Sequence, residues 1–201
     1  DLNFVLVENS STTPFIPSDT PVVLHNRLYE GQHINVTGYA NVGLQLFLPL
    51  GPKLVLFGFD SAAYEIETNA CGLVRLYDDA QVSLVNGLQW EAAHAVLLTE
   101  PDTPENLFKA PASAWSKLRR GERTFFREEV VEKSDDQLRM RHGSGAASST
   151  VKLDLSFVTC SLPRPRPLAP WEIPPFRDAE RVARVDSAFE RLDLLDELRG
   201  Q

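Results

Sequence analysis

The sequence is poor in the residues that most often build metal centres and disulfide frameworks. Its 201 residues include two cysteines, four histidines and one methionine. Cys71 and Cys160 lie far apart, and no Cys-x-x-Cys pair or Cys/His ligand spacing accompanies them. We expect two free, buried thiols in a reducing compartment, which indicates the cytoplasm. A single disulfide between them is the alternative.

Long apolar runs are absent as well. The sequence contains no stretch of about 18 apolar residues and no signal peptide. It therefore predicts neither a membrane-spanning helix nor secretion. The chain starts at Asp1, in the middle of a strand-like run and without an initiator Met. We therefore expect it to be a fragment or domain of a longer protein.

Positive charge is in the minority, which bears on nucleic-acid binding. The formal net charge is −8 and the pI is about 5.0, whereas nonspecific binding to nucleic acid depends on a cationic field. Nucleic acid is therefore a disfavoured partner. The basic cluster Lys117, Arg119, Arg120, Arg123 and Arg127 leaves a local phosphate-binding face as the alternative to the more common solvated surface.

The motifs of the common enzyme classes are missing too. The sequence has no Gly-rich phosphate loop, dinucleotide fingerprint, Ser-centred nucleophile elbow or His-Glu-x-x-His pattern. The composition is that of a folded soluble protein, because 43% of the residues are hydrophobic and 11 are Phe. The chain is long enough for one sizeable core, but no reaction is identifiable from it.

One stretch, residues 14–25, joins two apolar extended runs through Ser18, Asp19, Thr20 and Pro21. Pro21 restricts Thr20 to extended geometry, and Ser18 and Asp19 can hydrogen-bond backbone groups one or two residues on. A structural turn between two strands is the simpler interpretation. The alternative places Asp19 at a strand end, facing a cleft, as a metal ligand or general base.

Three short motifs, in this order, resemble a known family. Residues 10–23, here called the motif segment, are followed by the apolar Leu46–Pro52 run and by Val85–Leu88 with Asn86. Together they are similar to domain of unknown function 4238, found in bacteria and fungi. The resemblance covers roughly residues 4–100. It implies a fold more than a function, since the family has no established activity.

The sequence also departs from the family pattern. Thr20 stands where the family usually has Asn, and Gly51 where it has Ser. The family's N-terminal portion, with its His-x-x-Pro motif, has no counterpart in these 201 residues. If that histidine belonged to a site, this chain would hold only part of it.

Hydrophobic periodicity predicts an α+β domain over residues 1–160, with a mainly antiparallel sheet packed by a central helix. The helix is expected to start after Asp78 and to run to about His94. The predicted strands are Asn3–Glu8 buried on both faces, one beginning at Val22, Gly43–Leu50, Lys53–Phe59, Tyr64–Thr68, Ala95–Thr99 and Val151–Cys160.

Other elements are expected in the second half. Thr103 starts a helix broken near Pro111, Thr124–Glu132 and Gln137–His142 form a hairpin, and residues 143–150 form a loop. Residues 161–201 comprise a Pro-rich strap and a C-terminal amphipathic helix from about Arg177 to Leu198. The apolar stripe of this helix is Val182, Val185, Phe189, Leu192, Leu195 and Leu198.

Two functional hypotheses follow. In the first, the chain is a noncatalytic domain without a cofactor, and its C-terminal helix binds a protein partner or a second copy. Asp19 and Asn86 then only stabilise the fold, with the buried Asn86 bonding a neighbouring loop.

In the second hypothesis, the chain is a metal-assisted hydrolase acting on a phosphoester or nucleic-acid substrate. Asp19 and His25, or His33, would bind a divalent metal ion, and Asp19 and Asn86 would be catalytic. The substrate would contact Ser18, Arg119, Arg120 and Arg123. This hypothesis predicts that Asp19, Asn86 and His25 converge in one cleft.

Overall fold

The apolar runs near the N-terminus pair with one another in a five-stranded sheet. The computed structural model describes residues 2–32, 36–101, 103–104, 124–133, 138–146, 149–168, 172 and 174–180, with backbone only for 124–146. Its strands are β1 (Leu2–Asn9), β2 (Val23–His25), β3 (Gln45–Gly51), β4 (Leu54–Asp60), β5 (Tyr64–Ile66), β6 (Leu73–Leu76), β7 (Thr124–Lys133), β8 (Leu138–Ala146) and β9 (Val158–Cys160). A 3₁₀ turn spans Arg27–Tyr29, and α1 spans Asp79–Ala92.

The main sheet has the strand order β2-β3-β4-β1-β6 and is mainly antiparallel. Its one parallel pair is β1 with β6. The predicted β3–β4 hairpin is confirmed, and its turn follows from the two prolines around Gly51. Two further antiparallel pairs, β5–β9 and β7–β8, lie outside this sheet.

One face of the main sheet carries the core. Phe57 lies at its centre, with ring centroids 4.8 Å from Phe47 and 5.8 Å from Phe157. Helix α1 joins the same cluster through Val82, Val85 and Leu88. The predicted start of the helix is confirmed, because the Asp78 side chain accepts a hydrogen bond from the Ala80 N–H. The chain thus has the α+β character that the sequence predicts, with one helix on a mainly antiparallel sheet.

The opposite face of the main sheet, here called the outer face, is also apolar. Leu24, Leu46, Gly58 and Phe4 stand side by side across four strands, and Leu48, Leu56, Leu6 and Leu73 form the next row. These leucines are half-buried, and Phe4 is 53% exposed. The prediction that β1 is buried on both faces is therefore wrong. Its continuous apolar run arises because both faces of the sheet are apolar at this strand.

Three other expectations are corrected. Residues 95–99 are not a strand, since only an isolated bridge joins Ser18 to Leu97. The predicted loop 143–150 begins later than expected, because β8 extends through Ala146. The predicted strand from Val151 to Cys160 is paired only over β9.

Burial still alternates along residues 151–157, although the segment joins no sheet. Val151, Leu153, Leu155 and Phe157 are buried, whereas the residues between them are exposed. Period-two alternation reports which side chains face the core, and it does so whether or not the backbone finds a partner strand. This distinction explains why the predicted strand was too long.

Described residues beyond 160 contact the domain. Leu168 packs against the core, and its N–H donates to the Gln32 side chain at 2.9 Å. Further on, the Arg177 N–H donates to the Ala40 carbonyl at 2.8 Å, and Phe176 forms a bridge with Asn41. Most of the predicted helix after Thr103 and of the C-terminal helix lies outside the described residues.

Two further findings concern the thiols and membrane spans. Cys71 and Cys160 are both free, as expected, but both are exposed rather than buried. Within the described part of the chain, no helix combines the length and apolarity needed to cross a bilayer.

Candidate functional site

The motif segment lies along helix α1 and is bound to it by two buried side-chain amides. Asn86 donates to the Pro14 carbonyl at 2.8 Å and accepts from the Ile16 N–H at 2.9 Å. Gln89 donates to the Pro21 carbonyl at 2.8 Å and accepts from the Ser18 N–H at 3.0 Å. Each amide therefore bonds both a carbonyl and an N–H of the same extended backbone.

The chemistry of the motif segment explains why amides are needed there. Its three prolines have no N–H, so the segment has fewer backbone donors than carbonyl acceptors, and it offers carbonyls at Pro14 and Pro21. A side chain with one donor and one acceptor arm can satisfy both kinds of group. Asn86 and Gln89 are three residues apart on α1, which puts them on the same side of the helix. Both are buried.

The two ends of the motif segment are bound near the two ends of α1. At the start, the Asp79 carboxylate accepts from the Thr13 N–H at 2.6 Å and from the Thr12 hydroxyl. These bonds, above all the one from the Thr13 N–H, lower the pKa of Asp79 to about 2. A carboxylate that accepts backbone hydrogen bonds is stabilised in its charged form.

Asp19 bonds the chain that follows α1. Its carboxylate accepts from the N–H groups of His94 and Ala95 at 2.7 Å and of Val96 at 3.2 Å. The Asp19 N–H in turn donates to the Val96 carbonyl at 3.0 Å. The backbone hydrogen bond from His94, followed by those from the next two residues, lowers the pKa of the exposed Asp19 carboxyl. Asp19 is thus a negative charge held by three amides.

The turn itself is stabilised by Ser18 rather than by Asp19. The buried Ser18 hydroxyl donates to the Thr20 carbonyl at 2.9 Å and accepts from the Thr20 N–H at 3.2 Å. It is also 2.9 Å from the Gln89 side-chain oxygen. The chain bends at residues 19 and 20, as predicted, and the Ser18 hydroxyl makes the local hydrogen bonds there. Residues 14–17 are not a strand, so the bend does not join two strands.

His25 lies on β2, on the core side of the sheet. Its Nε2 is 2.9 Å from Glu30 Oε1, and the side chains are only 3% and 8% exposed. The same Glu30 oxygen accepts the Leu153 N–H at 2.7 Å. Because the carboxylate is an acceptor, the imidazole Nε2 is the donor in this pair.

The hydrogen bonds of Asp19, Asn86 and His25 therefore go to three different places. Asp19 bonds residues 94–96, Asn86 bonds the motif segment, and His25 bonds Glu30. Among the described residues, no group of three or more His, Cys, Asp or Glu side chains could hold a metal ion. The second proposed histidine, His33, and the substrate residues Arg119, Arg120 and Arg123 lie outside the described part. The catalytic and metal-binding roles stay predictions.

Sequence reasoning overlooked three residues of this region. Gln89 had a detectable signal, since it follows Asn86 by one helical turn and is polar within an apolar helix face. Asp79 directly follows the predicted capping residue Asp78, and no local pattern connects it to Thr13. No sequence pattern identifies Glu30, because it and His25 are brought into contact only by the fold.

The comparisons with known proteins agree with the motif order. A family model described as "Protein of unknown function (DUF4238)" matches residues 1–103, about half of the chain. Neither the curated proteins nor the solved structures give a match. The matched region contains the main sheet, the motif segment and α1. The resemblance noted in the sequence is confirmed, and the chain belongs to this family of proteins of unknown function.

Proposed function

We propose that the chain is a helix-binding interaction module and that the motif segment stabilises its fold. One observation carries the structural role of the motif segment: the Asp19 carboxylate, the best candidate for a catalytic group, accepts hydrogen bonds from three consecutive amides. Asn86 and Ser18 likewise bond main-chain groups. These bonds support the noncatalytic hypothesis, in which the polar residues of the motif segment connect it to α1. No reaction is identifiable for the family match.

The interaction surface in this proposal is the outer face of the main sheet. Its two apolar rows each run across four strands, and Phe4 is 53% exposed. Strands lie about 4.8 Å apart, so each row is about 15 Å long. The two rows are about 7 Å apart along the strands, a width that one α-helix of about 10 Å diameter covers.

The proposed occupant is the chain's own C-terminal helix, Arg177–Leu198. Its apolar stripe spans 17 residues from Val182 to Leu198, or about 24 Å of helix. The start of this segment contacts the loop before β3, because the Arg177 N–H donates to the carbonyl of Ala40, five residues before β3 begins. A short tether favours the domain of the same copy over that of a second one. An amphipathic helix of a partner would compete for this face.

The preceding Pro-rich residues, 161–175, act as the strap that brings the helix to this position. The bonds of the Leu168 N–H to Gln32 and of the Val42 N–H to the Pro175 carbonyl hold two described parts of this strap against the domain. Proline-rich chain is stiff and extended, so a strap loses little entropy on binding. The two free thiols, Cys71 and Cys160, support a cytoplasmic location.

A double-mutant cycle on the full chain tests the occupant. Leu56→Ala removes the centre of the second row, and Phe189→Ala removes the centre of the helix stripe. If the two contact each other, the losses in unfolding free energy are non-additive by roughly 0.5–3 kcal/mol. Glu190→Ala, on the opposite side of the helix, is the matched control and should show no coupling with Leu56→Ala.

The oligomeric state distinguishes the remaining outcomes. Coupling in a monomer, measured by light scattering, supports docking within one copy. Coupling that grows with protein concentration assigns the helix to a second copy. Additive effects in both cycles would contradict the proposal.

A further inference from the structure

A second surface, unrelated to the motif segment and the outer face, has the features of a small-molecule site. A cleft of about 340 Å³ lies between the 3₁₀ turn and residues 152–164. Pockets for small ligands usually have volumes of about 300–1,000 Å³. This cleft is at the lower end of that range, so it suits a compact ligand.

Three cations line this cleft, although the chain as a whole is acidic. They are Arg27, Lys152 and Arg164, and the chain carries a formal net charge of −8. Two carboxylates, Glu30 and Asp154, line it as well. The three cations exceed the two carboxylates by one charge, and this local excess attracts a small anion more effectively than the net charge of the chain suggests.

Arg27 is held in position by its own neighbours. Its guanidinium donates to the Val158 carbonyl at 3.0 Å and to Asp154 at 2.7 Å. A guanidinium has five N–H donors, so these two bonds orient the group and leave others for a ligand. The Asp154 side chain is 89% exposed, which weakens its hold on the charge of Arg27 through solvent screening.

Glu30 gives the cleft a buried acidic wall. One carboxylate oxygen is occupied by His25 and the Leu153 N–H. The other oxygen lies 3.9 Å from Arg164, whose side chain is 68% exposed. This oxygen can accept a hydrogen bond from a ligand hydroxyl, while Arg164 can move onto an anionic group of the same ligand.

One more polar residue neighbours His25, the partner of Glu30, but it does not line the cleft. Gln45 stands directly opposite His25 in the sheet and is buried. Among the described residues, neither atom of its amide has a hydrogen-bond partner. Buried polar groups nearly always have a hydrogen-bond partner, so a buried amide without one is unusual in a hydrophobic core. Gln45 is therefore a polar group without a described partner beside the His25–Glu30 pair, whereas the cleft itself is lined by charged residues and by Leu28, Leu153 and Leu162.

We propose that this cleft binds a compact organic anion that carries a hydroxyl group next to its phosphate or carboxylate. The anionic group contacts Arg164, Lys152 and Arg27, and the hydroxyl donates to Glu30. The overall negative charge and the small volume disfavour a polyanion such as nucleic acid. This inference shares Arg164 with the strap of the proposed function, but it does not require the C-terminal helix to bind the outer face.

Calorimetric titration of the full chain tests the inference with four probes. Glycerol 3-phosphate and glycerate carry an anionic group beside a hydroxyl, methyl phosphate lacks the hydroxyl, and glycerol lacks the anion. We expect binding of glycerol 3-phosphate or glycerate, weaker binding of methyl phosphate and none of glycerol. The stronger of the first two identifies phosphate or carboxylate as the preferred group.

Two variants assign the binding to the cleft. Arg164→Ala should weaken the binding about tenfold, the usual effect of losing one charge-assisted hydrogen bond. Arg75→Ala is the matched control, since Arg75 is an exposed arginine paired with Glu8 and lies outside the cleft. Glu30→Gln should reduce the preference for glycerol 3-phosphate over methyl phosphate.

Three results would overturn the inference. The first is no binding of either hydroxy anion at millimolar concentration. The second is equal weakening by Arg164→Ala and Arg75→Ala, which would indicate nonspecific attraction. The third is an unchanged preference in a folded Glu30→Gln variant, which would refute the role of the hydroxyl contact.

Discussion

The carboxylate of Asp19 accepts a hydrogen bond of 2.7 Å from the backbone N–H of His94, 75 residues later in the chain. This bond joins the turn of the motif segment to the residues that follow α1. Because the adjacent amides of Ala95 and Val96 bind the same carboxylate, the contact has the geometry of an anion held by a small cluster of backbone donors. This contact gives Asp19, the acidic residue of the motif segment, a structural role.

We predict that Asp19→Asn lowers the melting temperature, because a neutral amide oxygen accepts the three N–H bonds less strongly than a carboxylate does. Glu67→Gln, at an exposed position, is the control and should change little. Scanning calorimetry of the three proteins measures the effect. An unchanged melting temperature in Asp19→Asn would contradict the structural role.

The metal-assisted hydrolase hypothesis makes the opposite prediction for the same pair of proteins. If Asp19 binds a metal ion, then Mg²⁺, Mn²⁺ or Zn²⁺ should raise the melting temperature of the parent but not of Asp19→Asn. From the hydrogen bonds of the carboxylate, we expect equal responses from both proteins. A selective rise in the parent would support the metal site and would justify tests of phosphoester hydrolysis.

We predict an acid-sensitive contribution to stability from Asp79. Its pKa is lowered from 3.8 to about 2 in the folded chain, mainly by the Thr13 N–H. A depressed folded pKa stabilises the fold above the unfolded value, and this stabilisation is lost as the pH falls from near 3.8 towards 2. Asp79→Asn should therefore flatten the pH dependence of unfolding in that window. A parallel shift of the whole curve would contradict the linkage.

We predict that Asn86→Ala destabilises the chain by about 1–3 kcal/mol, because it leaves the Pro14 carbonyl and the Ile16 N–H without their buried partner. Asn86→Asp should not restore stability, since a carboxylate can accept from Ile16 but repels the Pro14 carbonyl. Ser83→Ala, elsewhere on α1, is the control. Urea denaturation gives the free energies, and a cost of Asn86→Ala no larger than that of the control would argue against the amide contacts.

We predict a large difference between two Gly→Ala changes near the two ends of β3. Gly43 has a φ of 79°, and an added Cβ would come within 2.8 Å of both Leu28 and Asn26. Gly51 has no atom within 4 Å of that position. Gly43→Ala should therefore cost about 1–3 kcal/mol or more, and Gly51→Ala should be nearly neutral.

A third glycine separates the two causes at Gly43. Gly72 has a φ of 73° but open space around the added Cβ. If backbone strain dominates, then Gly72→Ala and Gly43→Ala should have similar costs. If crowding by Leu28 and Asn26 dominates, the cost of Gly43→Ala should clearly exceed that of Gly72→Ala. Thermal unfolding of the three variants measures the order.

Much of the fold could be predicted from the sequence, because local patterns report local physics. The hairpin around Gly51 follows from its two prolines, and the start of α1 follows from the capping residue Asp78. The alternation at residues 151–157 correctly predicts which side chains are buried. It does not predict a strand, because pairing depends on a partner backbone that the local pattern does not contain.

The candidate site was predicted in part, for the same reason. Asn86 was identified as a buried helix residue that bonds a neighbouring loop, and this contact is present. The partners of Asp19 and His25 were not identified. Asp19 bonds the N–H of His94, 75 positions away in the chain. His25 bonds Glu30, and no sequence motif marks that glutamate as its partner.

The apolar pattern of the strands, the start of α1 and the family of the chain can be predicted from the sequence, because they depend on residues that are close together or on the order of motifs. Three other features follow only from the fold: the motif segment lies along α1, Asp19 bonds the amides after the helix, and cations from residues 27 and 152–164 line one cleft. A hydrogen-bond donor is chosen by distance in space, and folding brings together groups whose separation along the chain carries no signal.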